Sequence, residues 1–268
     1  MSGLANRLYG LIGRREVARS NVPALLGLMA PLVVLFGLEA GLVAGRVALL
    51  VLLVLGWQLA FRKLRGQPFG PEGLVTALLI ALLTPPSAPY WQLLFAGSFG
   101  VVLAELAFGG RGRNFVHPAV AALAFLMFSF TGEGYRAGPQ IPVWTLVPAL
   151  VLLLASGQAS WRVLLAAGGS MAAVAWGLSG AAAQAVPLDG AVAAALLFLA
   201  ADPVASAATN PGRFVHGLLA GSLAALFALS GEAFGATVFA ILVASVFAPL
   251  IDHCVIALHG LRRRRRHV

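Results

Sequence analysis

Ten apolar runs set what this chain can become. They fall at residues 22–38, 41–61, 73–84, 89–108, 116–130, 142–156, 161–180, 190–201, 214–230 and 234–258, with glycine, proline and charged residues between them. Several reach the roughly 17–25 residues that a helix needs to cross a bilayer. Of the 268 residues, 60% are hydrophobic and 10% charged, whereas a soluble domain carries roughly 25% charged residues. A polar coat that thin cannot enclose a soluble core of this size. The fold class expected is therefore an all-α integral membrane protein of about ten transmembrane segments, not a soluble enzyme.

The net charge of +9 invites a nucleic-acid reading, but the placement of the charges argues against it. Arg7, Arg14, Arg15 and Arg19 precede the first run, Arg62, Lys63 and Arg65 follow the second, and Arg262 to Arg266 follow the last. Basic residues gathered beside apolar runs mark loops retained in the cytoplasm. With both termini inside, ten crossings put sixteen of the eighteen basic residues at or near the inner side; Arg46 and Arg136 are the exceptions. The arginine tail reads as a topology anchor or as a contact for anionic lipid heads. Cys254 stands alone, so an internal disulfide, an iron–sulfur cluster and a structural zinc site are excluded. No small-residue cleavage site follows Arg14-Arg15 and the first run, so no removable signal is expected.

Two runs are too short to cross. Residues 73–84 and 190–201 number 12 each, or roughly 18 Å of helix against roughly 30 Å of hydrocarbon. Each begins after an acidic residue and a glycine, and each ends at proline. They are the third and eighth runs, five apart, and five is odd, so the second half enters from the opposite side. Paired short helices at matching places in two inverted halves point to a midplane site. The expected organisation is a cytoplasmic arm at 1–21, membrane repeats at 22–130 and 142–258, an outer connection at 131–141 and a basic cytoplasmic tail at 259–268. The strings GRNFVH at 112–117 and GRFVH at 212–216 echo each other without aligning at equal distances in the halves.

Only nine residues are acidic. Asp202 ends the second short run, where a carboxylate and unpaired carbonyls suit Na+ or a proton; the other reading makes it a cap ahead of Pro203. Asp252 and His253 lie near the inner end of the last run, and Glu105 lies one turn before a glycine stop, beside Arg111 and Arg113. The stretch Phe108-Gly109-Gly110-Arg111-Gly112-Arg113-Asn114-Phe115-Val116-His117-Pro118 is the most distinctive of the chain. Its glycines let backbone approach a ligand, and its arginines, amide and imidazole suit an anionic or polar planar one. An inside loop that obeys the positive-inside rule is the plainer reading. The sequence holds no P-loop, no dinucleotide fingerprint, no metal-ligand cluster and no nucleophile with its base.

With these stretches in place, the chain resembles the NqrB/RnfD family, membrane subunits of the Na+-translocating NADH:quinone reductase and of the Rnf electron-transport complex. The resemblance rests on Gly73-Leu74-Val75-Thr76 through Leu83-Thr84-Pro85-Pro86 to Gln92, on FGGRGRNFVHPA, and on Ala201-Asp202-Pro203-Val204 with Thr209-Asn210 through Phe247-Ala248-Pro249-Leu250-Ile251-Asp252-His253. It implies a multi-pass subunit of the bacterial inner membrane, with ten helices in two inverted repeats similar to urea transporters. It also implies redox partners, both membrane and peripheral, and coupling of flavin-mediated electron transfer to Na+ or H+ movement.

At the residue level the resemblance implies a non-covalent riboflavin or FMN at the loop of Gly110, Gly112, Arg113, Asn114 and His117. His117 stands where the family has a second asparagine. Asp202 and Asp252 match family acids and become ion-coupling candidates, while the glutamate of the second helix is Gln58 here. The family's Ser-Gly-Ala-Thr motif for covalent FMN has no counterpart: the outer stretch reads Thr131-Gly132-Glu133-Gly134-Tyr135, and Ser179-Gly180-Ala181-Ala182 follows a different helix and lacks the threonine. Covalent FMN is therefore not expected, and no catalytic or metal-ligating residue is assigned. Two alternatives stay open: a transport protein of urea-transporter-like fold for an ion or small solute, and a cofactor-free scaffold subunit.

Overall fold

The computed structural model describes residues 21–65, 72–110, 112–130, 135–179, 189–229 and 231–264. The N-terminal arm, Arg111, residues 131–134 and residues 180–188 lie outside the described residues, as do the side chains of the arginine tail. Among the described residues the regular structure is helical. Helix α1 runs Val22–Arg65, α2 Glu72–Leu83, α3 Tyr90–Phe99, α4 Pro118–Ser129, α5 Val147–Ser156, α6 Trp161–Ser179, α7 Gly190–Ala194, α8 Asn210–Ala228 and α9 Ala233–Arg264. Two of them continue as π-helix, α3 through Gly100–Leu106 and α7 through Ala195–Ala200.

Every apolar run falls on helix. The first and second share α1, which breaks at Glu39 (φ −141°, ψ 57°). Only two residues separate these runs, too few for a loop, so one non-helical residue carries the change of direction. Among the described residues, three helices are long and apolar enough to cross a membrane by themselves: Val22–Arg65, Trp161–Leu178 and Ala233–His259.

The two short runs become the centre of the bundle. On α2, Val75, Ala77 and Leu79 to Leu83 are all buried, and on α7 with its π continuation Ala191 through Ala201 are buried except Ala193. A helix that is apolar all round has no solvent face to offer and belongs inside. The other helices supply the outside, where Leu52, Phe128, Leu165 and Trp176 stand 64–75% exposed. So much exposed apolar surface is what a lipid-facing girdle presents.

Close packing needs small residues, because lipid tails give apolar side chains no incentive to leave them. On α8, Gly217 lies against the Val163 carbonyl and Ala166, and Gly221 against the Ala167 carbonyl and Ser170, so α8 meets α6 backbone to backbone. α1 packs on α2 and α5, α4 on α9, and α8 on α9. At the far end of α2, the buried Arg46 of α1 donates to the carbonyls of Thr84 (3.3 Å), Pro86 (2.6 Å) and Ala88 (2.8 Å). These carbonyls have no partner within the helix that ends there.

Candidate cofactor and ion site

The glycine-rich loop after α3 is built by its own side chains. Gly109, Gly110 and Gly112 have φ of 101°, 97° and 89°, a region that costs glycine nothing and other residues strain. Asn114, 5% exposed, clamps the turn: its Oδ1 accepts from the Gly112 N–H (3.1 Å) and its Nδ2 donates to the Val116 carbonyl (3.0 Å). Phe108 and Phe115 close the loop edge to face, with ring centroids 5.1 Å apart. Arg113 is exposed.

His117 ends the loop as the N-cap of α4. Its Nδ1 accepts from the Ala119 N–H (3.2 Å), and Pro118 takes the first helical position, where its missing N–H costs nothing. An accepting Nδ1 fixes the neutral ring with its proton on Nε2. The ring is 3% exposed and borders a cavity of about 340 Å³.

That cavity gathers distant parts of the chain. Gly112 and His117 come from the loop, Val75 and Leu79 from α2, Leu153 and Gln158 from the end of α5, Leu197 and Phe198 from the π segment after α7, and Asp202 from the turn that follows. Asp202 is 8% exposed. Its Oδ2 accepts from the Ala205 N–H (3.3 Å), and its carbonyl accepts from the Ser206 N–H (3.1 Å). Asp202 thus caps its turn and also borders the cavity.

The other candidates lie apart. Gly110, Arg113 and Asn114 are not among the residues described as lining the cavity. Asp252 is also outside it. Its Oδ2 accepts from the Ala208 N–H (2.7 Å), and its Oδ1 accepts from the Thr209 N–H (3.0 Å) and the Thr209 hydroxyl (2.6 Å). Asp252 thus ties α9 to the start of α8 and shapes the loop that carries Asp202.

Other buried polar groups stand apart from these, and of them Thr76 and His216 were given no role from the sequence. Thr76 of α2 donates to the buried Glu105 carboxylate at 3.5 Å, so Glu105 faces a neighbouring helix rather than only the glycine loop. Gln58, 8% exposed, stands against Gly73. His216 is fully buried on α8; the GRFVH echo at 212–216 was its one signal. Arg46 had a signal too, as a cation on the wrong side of the charge pattern.

Comparison with known proteins bears on the same residues. The sequence profile described as the NQR2, RnfD, RnfE family matches residues 14–137 and 134–259. The chain is 30% identical to the NqrB subunit of the Na(+)-translocating NADH-quinone reductase of Stutzerimonas stutzeri (strain A1501), over 79% of this chain and 66% of the relative. It is 29% identical to the same subunit of Chromohalobacter salexigens, over 78% of this chain and 64% of the relative. Against that of Yersinia pestis it is 28% identical, over 78% of this chain and 65% of the relative. The chain thus spans just under two thirds of the length of these relatives.

Proposed function

The chain belongs to the NQR2, RnfD, RnfE family, and from that premise we propose that it is a membrane subunit of an electron-transport complex of this type, coupling flavin-mediated electron transfer to Na+ or H+ movement. It works beside other membrane and peripheral subunits in the bacterial inner membrane, with both termini in the cytoplasm. Its ten helices form two inverted five-helix repeats. Supporting the repeat, the two short buried helices take equivalent third places, and the packing of α1 on α5 and of α4 on α9 joins first to sixth and fifth to tenth segments. Both pairings join segments that a two-fold between the halves would exchange.

The cavity bordered by Gly112, His117 and Asp202 carries the reading. Its volume of about 340 Å³ lies at the lower end of ligand pockets, roughly 300–1,000 Å³. Val75, Leu79, Leu153, Leu197 and Phe198 offer apolar walls for a flat ring system, and His117, Gln158 and Asp202 offer polar groups at its edge. These residues fit a non-covalent riboflavin or FMN, which when bound supplies reversible electron transfer. Gly112 brings backbone close to the ring, His117 presents its imidazole to the cavity while it caps α4, and Asn114 holds the loop in shape. Asp202 stands where a proton or Na+ balances charge arriving in the cavity. No covalent FMN is expected, since the chain lacks a Ser-Gly-Ala-Thr motif.

The test is the visible spectrum of the detergent-purified protein before and after acid precipitation. Flavin released to the supernatant, and lowered in His117→Phe, supports the reading. Flavin kept on the precipitate refutes its non-covalent form. Well-folded protein without flavin in either fraction refutes it altogether and leaves the transport and scaffold alternatives.

A further inference from the structure

The seam between α8 and α9 carries unused polar groups in a fixed register. Thr209 and Asp252 are bonded at 2.6 Å, and the two helices run antiparallel through a short connection. Seven residues, about two turns, lead from Thr209 to His216 on α8 and from Asp252 back to Ser245 on α9. His216 and Ser245 therefore occupy opposed positions deeper in the same seam, and the Ala244 backbone faces the imidazole. His216 is 0% exposed and Ser245 1%, yet both ring nitrogens and the Ser245 hydroxyl lack a hydrogen-bond partner. In the loop that Asp252 ties down, the Ser206 hydroxyl is buried and unpartnered as well.

Leaving such groups unpaired inside a bilayer is costly, and they persist where water or a transferred proton completes them. We propose that this seam is a proton-loading site: His216 accepts a proton that enters at Asp252, on the end of the bundle carrying the basic residues, and passes through internal water beside Ser245. In the transfer a hydronium ion attracted by the Asp252 carboxylate gives its proton to the internal water, the imidazole takes one from that water and becomes imidazolium, and no electron moves. The charged groups around the seam favour access from that end. Asp252 on α9 supplies the only carboxylate among the described residues of α8 and α9 near it, Arg213 on α8 is turned to the Ala207 carbonyl, and Arg162 at the start of α6 lies over the Trp161 ring. The site is separate from the cavity of Gly112 and His117 and does not depend on a flavin.

Nitrogen NMR of the full chain, ¹⁵N-labelled at its five histidines and held in lipid nanodiscs, tests this directly, with His216→Asn assigning the signal. The expected result is a His216 resonance that moves with pH from neutral imidazole to imidazolium. Ser245→Ala, which leaves the Asp252 cap intact, and Asp252→Asn each move the midpoint of that change to lower pH, because each removes a group that favours the imidazolium. A His216 signal that stays neutral from pH 4 to 9 overturns the proposal. A titration that both variants leave untouched also overturns it, because Asp252 and Ser245 then have no part in holding the proton.

Discussion

Replacing Arg46 by methionine removes the anchor of α2. The guanidinium gives three hydrogen bonds to the carbonyls of Thr84, Pro86 and Ala88 from a site only 3% exposed. Bonds from a charged group contribute about 1.5–3 kcal/mol each, or about 4.5–9 kcal/mol for the three. Relief of the buried charge's desolvation offsets several kcal/mol of this, which leaves a net loss of about 3 kcal/mol. Arg46→Lys keeps the charge but not the fork that spans three acceptors, and should recover about half of that loss. Unfolding of purified protein by SDS in mixed micelles, followed by the fluorescence of its five tryptophans, reads both values. Because Val75 and Leu79 of α2 wall the cavity, flavin content should fall along with stability. If Arg46→Met costs less than about 0.5 kcal/mol, the range of ordinary surface substitutions, the reasoning that α2 hangs on this residue is wrong.

Three more expectations follow from the same geometry. Gly112→Val places a β-branched residue at φ 89°, and should cost about 1–3 kcal/mol of strain and lower the flavin released on acid precipitation. Asn114→Ala breaks both bonds of the loop clamp and should cost about 1–3 kcal/mol in the same SDS titration, whereas Asn114→Asp keeps the acceptor for Gly112 and should cost less. Asp252→Ala leaves the Ala208 and Thr209 amides without their carboxylate, so hydrogen exchange should speed up there and stay unchanged at Gly112.

Hydropathy made the helices legible. The runs at 73–84 and 190–201 meet helical spans at 72–83 and 190–200, because flanking proline, glycine and acidic residues punctuate them sharply. The site was legible only in part. The sequence placed His117 and Asp202 on separate motifs 85 residues apart, and only folding puts both on one cavity. Asn114 was marked for its amide, but that amide is spent on the loop's own backbone. Asp252 was marked as an acid in the membrane, and its two oxygens turn out to hold the start of the preceding helix, α8. Residue type announces a polar group, while its neighbours in space decide whether the group faces a ligand or the chain. Arg46 shows the converse: the charge pattern flagged it as misplaced, but its three carbonyl acceptors lie 38–42 residues away.

The shortness of α2 and α7 also governs how such a chain is made. A segment of 12 residues cannot hold itself across a bilayer while the ribosome is still extending the chain. In the proposed topology Arg46 must meanwhile be carried toward the far leaflet before the carbonyls it will serve have been synthesised. Biosynthetic insertion must then proceed in blocks rather than helix by helix: α1 waits for α2, and the central pair closes only after α7 has arrived. Truncation ahead of α7 should leave a nascent chain that quality-control proteases recognise, although every helix made up to that point is intact.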